Sequence, residues 1–375
     1  MNRGTKKHPY AELSERMAFV PFQFVPSGGA KGFGFSGYSL IEDVDEMMET
    51  GREIVLEPAF DNEQIEKVRE TQARQAKTRF QKTEMQAFYS MFNHLFEGHP
   101  LSQTYSTEES IKNITKEDLI ALHKKYLRPE NLTMYMVGDK TPEEMKVLAN
   151  KYFGQWKAEG EKFEISVTPP VKPLTDKSLK VFTENDATEC TVNIGFAPFN
   201  NIPPEEGEAL SALNYILAGS ALTSRMGIEL RDKQGLIYGI KSELWVKGDN
   251  IGYWKFNTKT APKNTEKVIS GIFSEIRKLL DGGITDEELK AAKNRQLGLL
   301  PFYVESAGDV SNIAIDLVNK KLPFEFFDKK TDRIVSLTKE DLMKVARKYF
   351  TLDHFVIVVD GPIEEHSLDH LINKL

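Results

Sequence analysis

Two pairs of side chains in this 375-residue chain have types and spacings that could do chemistry. The first lies in His366-Ser-Leu-Asp-His370. On a helix, histidines four apart share one face, which is the geometry of two zinc ligands, and a carboxylate between them could act as general base. Three points count against that use. Asp369 is one methylene shorter than the glutamate such sites employ. A third protein ligand usually comes from a later helix, yet the chain ends at Leu375. The segment also lies beyond an internal repeat whose first copy has no histidines there. Chance spacing is the plainer account, ahead of adventitious metal binding or of peptide hydrolysis by His366, Asp369 and His370 alone. The second pair is Arg231 and Tyr238. Residues 221–231 read as a helix, Gly235 as its stop and Leu236-Ile-Tyr238 as the start of a strand. A guanidinium at a helix end and a phenol on the next strand can converge on one point, where they would hold a peptide carbonyl or an oxyanion. On spacing alone, a surface ion pair for Arg231 and a sheet aromatic for Tyr238 are the plainer account. The glycine-rich stretch Ser27 to Gly34 lacks the Lys-Ser/Thr and following helix of a phosphate loop, so it reads as a hairpin. The remaining histidines (His8, His94, His99, His123 and His354) show no paired spacing.

What positions these residues is a duplication. Ile114-Thr-Lys-Glu-Asp-Leu119 returns as Leu337-Thr-Lys-Glu-Asp-Leu342, an offset of 223 residues from Thr115 to Thr338. In each copy Thr-x-x-Asp opens a helical apolar pattern that ends in Lys-Tyr. A β-rich run follows, Leu132 to Val137 in the first copy and Phe355 to Val359 in the second. The runs close on Gly138-Asp139 and Asp360-Gly361. Upstream, Phe60-Asp-Asn-Glu-Gln-Ile65 echoes Ile284-Thr-Asp-Glu-Glu-Leu289. The expected elements of the first half are a short helix at 10–18, strands at 19–26 and 31–40, and helices at 42–56, 61–82 and 84–96. The capped helix from Thr115, a strand at 132–137 and a helix from Thr141 complete it. The proline-rich stretch 165–176 reads as a linker. The second half begins with strands at 179–183 and 189–196 and helices at 204–218 and 220–233. Strands at 236–246 and 251–258 follow, then helices at 263–281 and 285–299. Without βαβ spacing, the expectation is α+β: two homologous domains, 1–164 and 177–375, each a largely antiparallel sheet packed with helices.

Composition narrows the function classes. Forty per cent apolar residues with 28% charged fits a globular protein with a real core, and a net charge of −7 without a basic stripe argues against nucleic acid. One cysteine, Cys190, excludes an internal disulfide and a CxxC metal site. No apolar run approaches a membrane span, and residues 1–10 are polar and basic with no apolar core of a signal peptide behind them. The expectation is a soluble protein, with periplasm and cytoplasm both open.

With these segments in view, the chain resembles the pitrilysin/insulinase family of zinc metallopeptidases, which includes the mitochondrial processing peptidase. The clearest marker is Leu217-Ala-Gly-Ser-Ala-Leu-Thr-Ser-Arg-Met226 followed by Glu229-Leu-Arg-Asp-Lys-Gln-Gly-Leu-Ile-Tyr238. Gly4-Thr-Lys-Lys7, Leu40-Ile-Glu-Asp43, Pro58-Ala-Phe-Asp61 and Thr107-Glu-Glu-Ser110 support it in the first half. The resemblance implies that Arg231 and Tyr238 contact substrate at the catalytic centre. It also implies what is missing. The family's His-x-x-Glu-His helix would precede the segment like Gly4-Thr-Lys-Lys7, and this chain starts after that point. The family's third zinc ligand, a Glu, falls by count on Gln75, with Glu66 and Glu70 nearby. No metal or cofactor is therefore expected in this chain. The expectation is a zinc-free half, a partner subunit or a fragment of a longer tandem protein, that binds extended peptide and supplies Arg231 and Tyr238 to the zinc site of an HxxEH-bearing half. Hairpin 19–40 is the expected sheet edge for the peptide. The alternative is a non-catalytic assembly subunit of the same fold.

Overall fold

The computed structural model describes residues 1–29, 32–79, 83–102, 105–158, 160, 168–247 and 251–375. The expected turn residue Ala30, the last turn of the 61–82 helix, the boundary at 164 and the first three linker residues lie outside them. In chain order the elements begin α1 (Tyr10–Phe19), β1 (Phe22–Gly29), β2 (Gly32–Ser39), α2 (Val44–Leu56), α3 (Asn62–Thr78), α4 (Thr83–Leu95), α5 (Glu108–Lys112), α6 (Lys116–Tyr126) and α7 (Pro142–Phe153). They continue β3 (Lys177–Thr183), β4 (Cys190–Phe196), α8 (Gly207–Ala218), β5 (Ile237–Lys247), β6 (Ile251–Thr260), α9 (Thr265–Gly282), α10 (Asp286–Leu299), α11 (Ala307–Asn319), α12 (Glu325–Asp328), α13 (Lys330–Ser336), α14 (Lys339–Tyr349) and β7 (Phe355–Gly361).

Contacts divide the chain into two compact units, Met1–Thr78 with Thr104–Val167, and Arg79–Gln103 with Thr168–Leu375. The segment carrying α4 thus sits in the second unit rather than with the rest of 1–164. In the first unit β1 and β2 form an antiparallel hairpin, paired from Phe22–Ser39 to Gly29–Gly32. The segment after Gly4 is pinned to α2, because Thr5 Oγ1 and Lys7 Nζ donate to the buried Glu53 carboxylate at 3.2 and 3.3 Å. The expected strand at 132–137 does not form: those residues belong to no helix or strand. A β-rich sequence becomes a strand only when neighbours satisfy its N–H and C=O groups. Its counterpart β7 finds those neighbours between β3 and β4.

The second unit holds a five-stranded sheet in the order β3-β7-β4-β6-β5. Only β3 and β7 run parallel; the other pairs are antiparallel, as the sequence led us to expect. Every residue of β4 and β7 is buried, and period-two alternation assigns their side chains to two covered faces. Phe355, Ile357 and Val359 join the larger core with α8, α9 and α14. Val356 and Val358 join a second core built on Met91, Phe92, Leu95 and Phe96 of α4 and the residue after it. Gly195 makes that approach possible, since a Cβ there would lie 2.7 Å from Leu95 Cδ1 and 2.9 Å from Met91 Sδ.

The repeated caps make the same hydrogen bonds. Asp118 N–H donates to Thr115 Oγ1 at 3.1 Å and Thr115 N–H to Asp118 Oδ2 at 2.8 Å. The same bonds at Thr338 and Asp341 measure 3.1 and 2.9 Å. Both are reciprocal capping boxes at the start of eleven-residue helices. Burial separates the copies: α14 buries Leu342, Met343, Val345, Ala346 and Tyr349, whereas α6 buries none of its residues.

Candidate functional site

Arg231 and Tyr238 are brought together by two local irregularities. Between Gly227 and Lys233 the chain forms a π-helical turn where the sequence predicts an ordinary helix over 220–233. Gln234 N–H reaches back to Glu229 O at 3.2 Å, a span of five residues, and Gly235 N–H reaches Arg231 O at 3.0 Å. Gly235 ends the turn with φ +61°, a left-handed conformation that glycine adopts without a Cβ penalty. Three ties hold the turn. Leu230 is buried against Gly271 of α9, where a Cβ would approach Leu230 Cδ2 to 2.4 Å. Glu229 accepts from Gln234 Nε2 at 2.9 Å and Lys233 Nζ at 3.0 Å, and these bonds hold its carboxyl below the usual range. Arg225 clasps Glu288 of α10 at 2.6 and 2.7 Å. Burial pushes the Glu288 carboxyl up, but the Arg225 guanidinium and the Thr285 N–H outweigh it and leave it below its ordinary value.

The second irregularity is a β-bulge in β5. Ile237 pairs with Thr260 and Ile240 with Thr258, so Tyr238 and Gly239 together oppose one residue of β6. Ile237 and Ile240 are both buried, and the extra residue turns Tyr238 outward, leaving it 90% exposed. Two threonines fix the distortion: Thr260 Oγ1 donates to Leu236 O and Thr258 Oγ1 to Gly239 O, both at 2.7 Å. The outcome is a guanidinium carbon 5.7 Å from the Tyr238 ring centroid. Arg231 also makes a long contact to Asp232, 3.4 Å. The site therefore presents a fork of N–H donors and a phenol hydroxyl side by side on an open surface, a pair able to hold one carbonyl oxygen. Arg225, Glu229, Leu230, Thr258 and Thr260 position it; the first three lie in the family-like marker, but sequence reasoning gave none of the five a role. Their signal was weak, because each acts through partners 4 to 63 positions away.

The histidine pair does not converge. His366 has φ +70° and lies in a turn, not on a helix. Its Nδ1 meets Asp369 Oδ2 at 2.9 Å, while His370 Nε2 meets Glu266 Oε1 at 3.1 Å. The rings serve separate carboxylates. In the first unit Gln75 is exposed on α3, and Glu66 is engaged with Arg69 at 3.0 Å. Among the described residues no group of three or more His, Cys, Asp or Glu could hold a metal ion, so the donors present do not fit a catalytic zinc. Among them, too, no helix is long and apolar enough to cross a membrane. Hairpin β1–β2 does expose both strand edges, but it belongs to the first unit. Within the second unit, β5, which carries Tyr238, is an edge strand of the sheet among the described residues.

Comparison with known proteins shows what the chain is similar to. Residues 113–296 match the family described as the peptidase M16 inactive domain, a stretch that includes both the π turn and the bulge. An uncharacterised zinc protease of Mycobacterium leprae is 26% identical over 211 residues, 54% of this chain and 45% of that protein. A Helicobacter pylori protein named as a non-peptidase homologue is 23% identical over 327 residues, 85% of this chain and 73% of its own length. The crystal structure of a peptidase M16 inactive domain from Pseudomonas fluorescens has the same fold, with a TM-score of 0.85 at 20% identity, covering 97% of this chain and 86% of that one. The chain thus spans less than half of the mycobacterial relative and most of the Pseudomonas domain.

Proposed function

We propose that this chain, a relative of the M16 peptidases that matches their inactive domain, works as the zinc-free half of a two-part peptidase. It binds an extended peptide and lends Arg231 and Tyr238 to the zinc site of an HxxEH-bearing half. The observation that carries this reading is the convergence of the two side chains, 5.7 Å from guanidinium carbon to ring centroid, through a π turn and a bulge. Such irregularities disrupt regular hydrogen bonding, and they persist where neighbouring structure over-determines them. A scaffold would have no use for an exposed phenol held over a guanidinium by so many ties.

In this reading the metal and its activated water belong entirely to the other half. Arg231 donates to the peptide carbonyl oxygen and strengthens that bond as negative charge develops there, and the Tyr238 hydroxyl donates to the same oxygen. The β5 edge next to Tyr238 offers unpaired backbone groups, and an extended peptide added there would place a carbonyl beside the pair. Fluorescence anisotropy of a labelled extended peptide tests the binding role. Arg231→Ala should weaken binding about tenfold or more and Tyr238→Phe several-fold, in line with loss of a charge-assisted and a neutral hydrogen bond. Unchanged affinity in both variants would mean that the pair does not touch peptide, and absence of any binding by the unmodified chain would favour an assembly role.

A further inference from the structure

A cavity of about 180 Å³ opens in the second unit between α8, α10, the turn after α10 and the start of α13. Its walls include Asn214, Tyr215, Arg295, Gln296, Tyr303 and Lys330. Its charge is lopsided. Arg295 is exposed, its Cζ sits 5.0 Å from the Tyr215 ring centroid, and among the described residues it pairs with no carboxylate. Lys330 lies 5.7 Å from the Tyr303 ring centroid. Lys330 reaches the buried Glu208 of α8 at 3.3 Å, and Glu208 also meets Arg333 at 2.9 Å. No acid lines the cavity; of its two cations Lys330 is paired with Glu208 from outside the lining, and Arg295 supplies the surplus positive charge. The aromatic rings and the amides of Asn214 and Gln296 add flat walls and neutral hydrogen-bonding groups. A planar fork with unused donors over an aromatic ring suits a carboxylate better than it suits a neutral group.

The cavity is joined to the Arg231–Tyr238 site through β5. Asn214 Oδ1 accepts from Ser242 Oγ at 2.5 Å, and Ser242 in turn accepts from Trp254 Nε1 at 2.7 Å. Ser242 lies four residues along β5 from Tyr238, roughly 13 Å at strand spacing. On the cavity's other side Gly219 lines it, and two residues later Ala221 packs beside Gly239 of the bulge. We infer that this cavity binds a carboxylate of the peptide held at Arg231 and Tyr238, about four residues from the carbonyl they grip. The carboxylate comes from an acidic side chain or from the peptide's C-terminus. This inference rests on the peptide-binding reading for its ligand, though not for the existence of an anion site.

The experiment has two arms. In the first, glutarate and its neutral analogue glutaramide are compared as stabilisers in thermal unfolding. Glutarate should raise the Tm of the unmodified chain and glutaramide should not, and Arg295→Gln, which alters an exposed side chain, should abolish the difference. Equal effects of the two compounds, or a glutarate effect that survives in both Arg295→Gln and Lys330→Gln, would overturn the anion site. In the second arm a single Glu is moved along a neutral labelled decapeptide and compared with Gln at each position, with free and amidated C-termini. One register should bind about tenfold tighter with Glu than with Gln, and Arg295→Gln should erase that preference while Arg231→Ala weakens both peptides equally. A preference that follows the free C-terminus instead assigns the cavity to that carboxylate. Peptide binding with neither preference overturns the inference and leaves the peptide-binding reading standing. A glutarate effect without any peptide binding keeps the anion site and removes that reading.

Discussion

Asp360, near the end of β7, carries a sharp stability prediction. Its side chain is 1% exposed and Oδ2 has no hydrogen-bond partner. Burial first, and the nearby Glu184 charge second, push its carboxyl up to about 6 from an ordinary 3.8. A group whose pKa is raised on folding binds its proton more tightly in the folded state. The penalty for ionising it is therefore fully present above the folded pKa and disappears as pH falls below the unfolded one. A separation of about two pH units corresponds to about 3 kcal/mol. Asp360→Asn removes the charge and keeps the shape, so it should raise unfolding free energy by about 2–3 kcal/mol at pH 8. The advantage should shrink through pH 6 and be almost gone at pH 4. Urea unfolding followed by tryptophan emission is suited to this, because Trp254 is fully buried in the same unit. The midpoint shift at pH 8 should be about 1 M. Glu184→Gln should move the same way by less. A variant no more stable than the parent at pH 8, or an advantage that persists undiminished at pH 4, would refute the reasoning.

Further outcomes follow from the same contacts. Gly271→Ala places a methyl against Leu230, so it should destabilise the second unit by about 1–3 kcal/mol in urea unfolding and also weaken peptide binding by displacing the π turn. Thr338→Ala should lower stability by about 1 kcal/mol through loss of its capping box, and Thr115→Ala by less, because α14 is tied to a core and α6 is not. Parallel urea titrations of the two variants check the order. Gly195→Val should push α4 off the sheet, lowering amide-exchange protection across Ala87–Phe96 before the rest of the second unit is affected.

Features written in local chemistry were legible in the sequence. The capping boxes at Thr115 and Thr338, the hairpin β1–β2 and the order of strands and helices from Lys177 to Leu299 need only neighbours in the chain. Arg231 and Tyr238 were named from their spacing and a family resemblance, and Gly235 as the stop between them. The device that joins them was not legible. The π turn depends on Leu230 meeting Gly271, and the bulge on Thr258 and Thr260 reaching across a strand. The place of α4 was hidden for a similar reason, since Met91 and Leu95 declare nothing about Gly195, a hundred positions on. The apolar run 132–137 carried the pattern of a strand without carrying its partners. Helices α11 to α13 went unread because no cap-and-repeat echo pointed to them, although Ser306 and Asp309 form a capping box of their own.

The central claim is that this chain completes a catalytic site it does not itself contain. Its most direct test is the rate of peptide cleavage when an HxxEH-bearing M16 half is mixed with this chain. The chain should raise the rate in proportion to complex formed, while Arg231→Ala and Tyr238→Phe should bind the other half normally and lower kcat by at least tenfold. Cleavage that is indifferent to the chain, or equally fast with both variants, would contradict it.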